Sequence, residues 1–221
     1  MNKISISQVN LDAMETPVRL ILASSSRYRQ ELLARLQLPF EALAPNLDET
    51  PKVGELPEQT ALRLAQEKAM CIARSHPESI VIGSDQVATL DGEQIGKPGN
   101  HANALKQLQF MRGRTVIFHT AICVFDGRTE SIGKELQCQT YDCQTEVTFR
   151  DLPDHELDAY LKIEQPYDCA GSAKNEGLGI TIIESIISKD PSSLTGLPLI
   201  TLTTMLRKLG VRFYTNKLSE N

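Results

Sequence analysis

Apolar runs and amphipathic stretches alternate along the chain, and their periodicities predict a succession of strands and helices. The run Arg19–Ala23 is typical of a buried strand, and leucines at helical spacing after it predict a helix from Arg27 to Leu38. A short strand is expected after Pro39. The same patterns predict further strands over 79–87, 115–125, 135–149 and 179–187, and helices over 57–76, 101–111, 152–163 and 196–210.

The middle of the chain differs from its flanks, because two long strand patterns follow each other with only a turn signal between them. That signal is Asp126-Gly127, which favours antiparallel pairing of 115–125 with 135–149. Elsewhere strands and helices alternate, as in α/β proteins. The pattern therefore predicts an α/β fold with a mixed sheet rather than a uniformly parallel, doubly wound one.

The composition is that of a globular protein, with 41% hydrophobic and 23% charged residues among 221. No apolar run approaches the length of a bilayer span, so we expect no membrane association through a transmembrane helix. A net charge of −5 argues against binding to nucleic acid polymers, so an anionic ligand would need a local basic site. The five cysteines are scattered without a CxxC pair, which argues against a disulfide framework or a zinc site.

The ends of the chain differ in composition from the rest. Residues 1–17 lack an apolar signal-peptide core and carry acidic side chains, so we expect a flexible N-terminal extension rather than a targeting segment. A single domain, with two lobes around a cleft, is expected over 18–214, and a short tail over 215–221. These features favour the cytoplasm.

A serine-rich turn follows the first predicted strand and leads into the first predicted helix. Backbone N–H groups at such a helix start, with the Ser24 and Ser26 hydroxyls, form a good site for a phosphate. Arg29 is unfavourable at a helix start unless an anion lies beside it. The alternative is that Ser26 only caps the helix and that Arg27 and Arg29 are solvated.

Other charged or amide side chains lie near predicted strand ends and in loops. They are Asp48, Glu49, Lys68, Asp85, Gln86, Lys97, Lys174 and Glu176. Taken singly, each is equally well a surface or turn residue. Together they meet the needs of a triphosphate hydrolase, because polyphosphate requires cations, a divalent metal requires carboxylates, and attack on phosphorus requires a base.

The chain resembles the Maf family of nucleoside triphosphate pyrophosphatases from about Arg19 to Leu209. The resemblance lies in an ordered series of motifs, which are LILASSSRYRQELL, DET, RLAQEKA, IGSDQV, GKP, CAGSAKNEGLGI and GLPLI. It implies an elongated α/β body with a mixed, twisted sheet flanked by helices and a central cleft, similar to inosine triphosphate pyrophosphatases. It also implies cleavage between the α- and β-phosphates, with a divalent metal, Mg²⁺ or Mn²⁺, as cofactor.

The resemblance also implies roles for ten residues. Asp85 would be the proton acceptor, and Glu49 a metal-binding or water-positioning carboxylate; both carboxylates would contact the metal. Phosphate binding and charge stabilisation would fall to Ser24, Ser26, Arg29, Lys68 and Lys97. The positions that the family links to substrate choice are Tyr28, Gln86 and Glu176.

Tyr28 stands where a pyrimidine-specific branch of the family has arginine, and the 7-methyl-GTP branch has an aromatic residue there. An aromatic face attracts the cationic 7-methylguanine ring by roughly 0.5 to 2 kcal/mol. Glu176 could accept hydrogen bonds from the guanine N–H edge. The motif departs from the branch at Arg27, where proline is usual, and at Gln30, where arginine is usual. Arg27 could supply the charge lost at Gln30, although it would point elsewhere on the helix.

The expected activity is hydrolysis of 7-methyl-GTP to 7-methyl-GMP and pyrophosphate, a house-cleaning reaction. One alternative keeps the enzyme and changes the substrate to dTTP or UTP. A second alternative is a nucleotide-binding regulator of cell division without important turnover. By resemblance alone, a homodimer is plausible.

Overall fold

The computed structural model describes residues 18–128 and 137–214. The predicted extension 1–17 and tail 215–221 lie outside the described residues, as does the start of the strand predicted from residue 135. The strands are β1 Arg19–Ala23, β2 Phe40–Ala42, β3 Ser79–Leu90, β4 Glu93–Ile95, β5 Thr115–Asp126, β6 Cys138–Phe149 and β7 Ile183–Ser188. The helices are α1 Arg27–Ala34, α2 Pro57–Ala73, α3 His101–Met111, α4 Asp154–Glu164 and α5 Leu199–Lys208.

The seven strands form one mixed sheet in the order β2-β1-β3-β5-β6-β7, with β4 paired to β3. The pairs β1–β2 and β1–β3 are parallel. The pairs β3–β5, β5–β6 and β6–β7 are antiparallel. The predicted α/β fold with a mixed sheet is therefore confirmed, and so is the antiparallel pairing of the two long central strands.

Helices cover both faces of the sheet. Helices α1 and α5 pack on one face of β1, β3 and β5, and α2 packs on the opposite face. Helices α3 and α4 enclose a further core against the distal halves of β3, β5 and β6. Among the described residues, no helix combines the length and the apolar character needed to cross a membrane.

Helix α2 lies unusually close to strand β3 at Gly83. A Cβ atom at Gly83 would lie 2.1 Å from the Ala65 carbonyl oxygen and 2.8 Å from the Ala69 amide nitrogen. Only glycine allows this backbone approach. Lys68 of α2 and Asp85 of β3 flank the contact, so the packing of helix on strand sets their separation.

Several element boundaries differ from the sequence prediction by two or more residues. Helix α1 ends at Ala34 rather than Leu38, and Gln37 adopts a left-handed φ of 54° that cannot continue a helix. Strand β3 continues to Leu90, so Asp85 lies inside a strand and not in a turn. Residues Leu178–Ile182, predicted mainly as strand, form a 3-10 helix before β7.

Candidate functional site

All ten predicted site residues line one cavity of about 590 Å³. They are Ser24, Ser26, Tyr28, Arg29, Glu49, Lys68, Asp85, Gln86, Lys97 and Glu176. They come from α1, α2, β3 and four loops, and they are separated by up to 152 positions in the chain (176 − 24). The cavity also contains apolar side chains from the core enclosed by α3 and α4.

The turn between β1 and α1 forms one wall of the cavity. Ser26 is the N-cap of α1, and its Oγ accepts a hydrogen bond from the Arg29 N–H at 3.4 Å. Ser24 Oγ accepts from the Ser26 N–H at 3.1 Å. The capping role of Ser26 is therefore present, and the helix start still faces the cavity, so capping and anion binding are compatible here.

Arg29 points across the cavity wall to the loop before α5. Its Nε donates to the Gly196 carbonyl at 2.9 Å. Burial lowers the pKa of the Arg29 guanidinium, while the carboxylates of Asp85 and Glu49 act in the opposite direction. Arg29 therefore stays charged, and its side chain is held in one position. The alternative that Arg29 is solvated is wrong.

Arg27 is different. Its side chain is 88% exposed, and its Nε pairs with Glu31 Oε1 at 2.7 Å on the surface of α1. The (i, i+4) pairing with Glu31 turns this side chain along the helix, although Arg27 is also among the residues that line the cavity.

Two carboxylates and one ammonium group meet at the floor of the cavity. Lys68 Nζ lies 2.7 Å from Asp85 Oδ1 and 2.9 Å from Glu49 Oε1. Lys68 and Asp85 are 5% and 6% exposed, whereas the Glu49 side chain is 57% exposed. The alternative of Lys68 as a solvated surface residue is wrong, since α2 turns this side chain toward β3.

The pKa of the Asp85 carboxyl is raised above its ordinary value. Burial is the largest cause, and the Lys68 ammonium opposes it by attraction and by hydrogen bonding. A buried carboxylate with a raised pKa accepts a proton more readily than an exposed one. This is the property required of a general base that works near neutral pH.

The loop that carries Glu49 is tied to α2 by a network around Arg63. Arg63 donates to the Thr50 carbonyl at 3.2 Å and pairs with Glu55 at 2.6 Å. Asp48 Oδ1 accepts from both the N–H and the hydroxyl of Thr50. Although Glu49 is exposed, its backbone is therefore held in place.

A loop from Asp190 to Gly196 closes the other side of the cavity, and sequence reasoning did not place it in the site. The Gln86 amide nitrogen lies within 3.1 Å of three acceptors, which are Thr120 Oγ1 and the carbonyls of Ser193 and Leu194. Gln86 can therefore offer only its amide oxygen to a ligand. The cluster SSLTG is typical of a loop, but only the fold brings it to β3.

The remaining predicted residues lie at the mouth. Lys97 is exposed in the loop between β4 and α3, whose Gly96 carbonyl accepts from Gln107 at 3.0 Å. Tyr28 is half-buried, and Glu176 is exposed in the loop after α4. Apolar side chains also line the cavity, and sequence reasoning had not selected them; they are Phe118, Val147, Phe149, Ile183 and Leu194.

The site thus combines a polar half with a second half that is partly apolar. The polar half offers two cations, Arg29 and Lys68, two carboxylates and a helix start, which suits a polyphosphate. The rest of the lining offers aromatic and aliphatic surface with two carboxylates, Asp168 and Glu176, which suits a flat polar ring. Among the described residues, no three His, Cys, Asp or Glu side chains form a group that could hold a metal ion.

Comparison with known proteins gives a consistent result. Residues 19–209 match the family model described as Maf-like protein. A Ralstonia nicotianae protein named 7-methyl-GTP pyrophosphatase is 63% identical over 190 residues, covering 86% of this chain and 95% of the relative. Proteins of the same name from Cupriavidus pinatubonensis and Methylobacillus flagellatus are 58% and 56% identical, covering 90% and 87% of this chain and 98% and 97% of their own lengths.

Among solved structures, the Ham1 protein of Staphylococcus aureus aligns with a TM-score of 0.49 and 14% identity, over 86% of this chain and 99% of that chain. Assignment to a family rests on the sequence matches, which span most of the chain and include every residue described above. The chain belongs to the Maf family.

Proposed function

We propose that this protein hydrolyses 7-methyl-GTP to 7-methyl-GMP and pyrophosphate, with Mg²⁺ or Mn²⁺ as cofactor. The observation that carries the proposal is that one cavity holds both the Lys68–Asp85 pair and the Tyr28–Glu176 mouth. The names of the relatives, each a 7-methyl-GTP pyrophosphatase, support the same substrate.

Asp85 is the proposed general base. It takes a proton from a water molecule, whose oxygen attacks the α-phosphorus. The bond between the α-phosphorus and the bridging oxygen then breaks, and pyrophosphate leaves with the bonding electron pair. Lys68, at 2.7 Å, keeps the carboxylate in place and holds it available for the proton.

Positive groups stabilise the charge that grows during the reaction. Arg29, Lys68 and Lys97 line the cavity and are proposed to contact the phosphoryl oxygens. Ser24 and Ser26 are proposed to bind phosphate together with the start of α1. Arg29 is the best positioned of these, because Gly196 fixes its side chain before substrate arrives.

The methylated base is proposed to bind at the mouth. The Tyr28 ring attracts the delocalised positive charge of 7-methylguanine, and Glu176 accepts hydrogen bonds from its N–H edge. Gln86 is proposed to act on substrate choice through its amide oxygen and through the 193–194 backbone that it holds.

A divalent cation fits the donor set. Glu49 and Asp85 present hard carboxylate oxygens to the same cavity, and Mg²⁺ is usually held by one or two carboxylates together with substrate phosphates. When bound, it would supply positive charge that neutralises the triphosphate and polarises its phosphoryl oxygens. Glu49, the more exposed of the two, is paired with Lys68 at 2.9 Å and would contact the cation from the open side of the cavity.

The proposal includes the wider setting. We infer a single catalytic domain over 18–214 with two lobes around the cavity, a place in the cytoplasm, a homodimer, and no binding to nucleic acid polymers or membranes. The competing substrate class is dTTP or UTP. The competing class of protein is a nucleotide-binding regulator of cell division. The buried Lys68–Asp85 pair argues against a regulator, because a protein that only binds nucleotide does not require a base.

The test is pyrophosphate release from 7-methyl-GTP, GTP, dTTP and UTP side by side with Mg²⁺ or Mn²⁺. We expect 7-methyl-GTP to be preferred, Asp85→Asn to lose turnover while keeping its fold, and Tyr28→Arg to lose 7-methyl-GTP turnover more than pyrimidine turnover. Preference for dTTP or UTP would overturn the substrate. Tight nucleotide binding without pyrophosphate release would favour the regulator.

A further inference from the structure

Glu164, the last residue of α4, organises the loop that carries Glu176 although it does not line the cavity. Its side chain is 12% exposed. Its Oε2 accepts from the Leu178 N–H at 2.7 Å, and a Cβ at Gly177 would lie 2.6 Å from the same oxygen. The loop backbone is therefore packed directly against this carboxylate.

The other oxygen of Glu164 faces Lys174. Lys174 Nζ lies 3.3 Å from Glu164 Oε1 and 5.7 Å from the centroid of the Tyr28 ring. Hydrogen bonding to Tyr28 is the largest cause that raises the pKa of Lys174, and hydrogen bonding to Glu164 is the next largest. The ammonium group thus connects the end of α4 to the aromatic residue at the cavity mouth.

The backbone of Lys174 is fixed as well. Its N–H donates to the Tyr160 hydroxyl at 3.3 Å, and its carbonyl accepts from the N–H groups of Gly177 and Gly179, both at 3.0 Å. A Cβ at Gly179 would lie 2.5 Å from Lys174 backbone atoms. The position of the ammonium therefore follows from a rigid loop and not from a free side chain.

A lone ammonium beside Tyr28 would repel a cationic base and reduce the attraction of the ring for it. Glu164 balances that charge at 3.3 Å, so the pair is neutral overall. We propose that Glu164 and Lys174 form a charge-balanced pair that positions Tyr28 and sets the preference for a cationic over a neutral purine. This inference rests on the proposed function, because it takes Tyr28 as the residue that contacts the base.

The test compares two substrates that differ by the methyl group and its charge. The measured quantity is kcat/KM for 7-methyl-GTP divided by kcat/KM for GTP. Glu164→Gln leaves Lys174 unbalanced and should lower this ratio, whereas Lys174→Met leaves Glu164 unbalanced and should raise it, each by about fivefold. The double variant restores neutrality, so its ratio should return toward that of the wild type.

Glu156→Gln is the matched control. It makes the same change of charge on α4, about 12 Å along the helix axis from Glu164, and should leave the ratio unchanged. If Glu164→Gln and Lys174→Met lower kcat/KM for both nucleotides in equal proportion, the pair only supports the loop and the inference is overturned. If the wild type prefers dTTP or GTP, the proposed function is overturned instead. Even then, shifts of the kcat/KM ratio in opposite directions in Glu164→Gln and Lys174→Met would support the inference, and equal shifts would overturn it.

Discussion

At the scale of one residue, Asp85 is the proposed general base, and its buried environment leads to a prediction about stability. Burial raises its pKa in the folded protein above the ordinary value of 3.8. Such a group binds its proton more tightly when folded, so its contribution to the free energy of unfolding falls as pH rises from 3.8 through the folded pKa. Asp85→Asn removes this titration. The free energy of unfolding of Asp85→Asn minus that of the wild type should therefore increase across this window, in urea denaturation without metal.

Asp158 is a control of opposite sign. Its hydrogen bonds with Lys162 and His101 lower its pKa, so its contribution to stability is lost as pH falls through the folded pKa. The free energy of unfolding of Asp158→Asn minus that of the wild type should therefore increase as pH falls. For Asp85→Asn the same difference should increase as pH rises. A difference for Asp85→Asn that does not change with pH would contradict the raised pKa.

Single residues also mark where sequence reasoning stops. The polar residues Asp85 and Gln86 predict that the strand over 79–87 runs into a polar turn, because charged side chains are rare in a buried strand. Asp85 is tolerated there since Lys68, 17 positions earlier, supplies the opposite charge at 2.7 Å. Glu164 carries no local signal, and the loop motif that contains Lys174 does not indicate its pairing with Glu164 or its distance to Tyr28, which only the fold shows.

At the scale of elements, α5 depends on a side chain that lies outside it. Asp190 is 2% exposed, and its Oδ2 accepts from the N–H groups of Ile200 and Thr201 at 2.8 and 3.1 Å. The N-cap residue, Pro198, makes no side-chain cap. Asp190→Ala would leave two N–H groups without an acceptor and should cost roughly 1 to 3 kcal/mol of stability, measured by urea denaturation.

Asp190→Asn is the companion variant, because it keeps one acceptor oxygen and should lose less stability than Asp190→Ala. Equal losses in the two variants would indicate that the charge, and not the hydrogen bonds, supports α5. Thr204→Ala, at an exposed position of the same helix, should change stability by less than about 0.5 kcal/mol.

Most elements could be predicted from periodicity, because β1, α2, α3, the β5–β6 pair and α4 carry strong apolar patterns. The 3-10 segment Leu178–Ile182 could not, since its apolar residues imitate a strand. What prevents extension there is Gly179, which is pressed against the backbone of Lys174. The ten site residues came from motif resemblance, while the apolar wall and the 190–196 loop required the fold.

At the scale of the whole molecule, the cavity is lined by residues from separate cores. Phe118 and Phe149 belong to the core under α3 and α4, and Ala23 and Val87 to the core under α2. A nucleotide in the cavity therefore contacts both, and its binding energy should stabilise the protein as one unit. In Asp85→Asn, which should not consume it, 7-methyl-GTP at 100 times its Kd should add about 2.7 kcal/mol.

Thermal unfolding with and without nucleotide measures this effect, and we expect Tm to rise by roughly 5 to 11 °C. Hydrogen exchange should slow in β1 and β6 together. Protection confined to strands of one core would contradict the view that the ligand couples them. GTP, dTTP and UTP at the same concentration should each give smaller shifts.

The contact of α2 with β3 at Gly83 has a consequence for how members of this family can diversify. The separation of Lys68 and Asp85 is set by main-chain atoms that are in contact. Almost no substitution of Gly83 would preserve this contact, so this position can hardly change during evolution. The mouth is different, because Tyr28 and Glu176 are side chains on a helix start and a loop. New substrates would therefore be acquired at the mouth while the hydrolytic reaction is inherited unchanged.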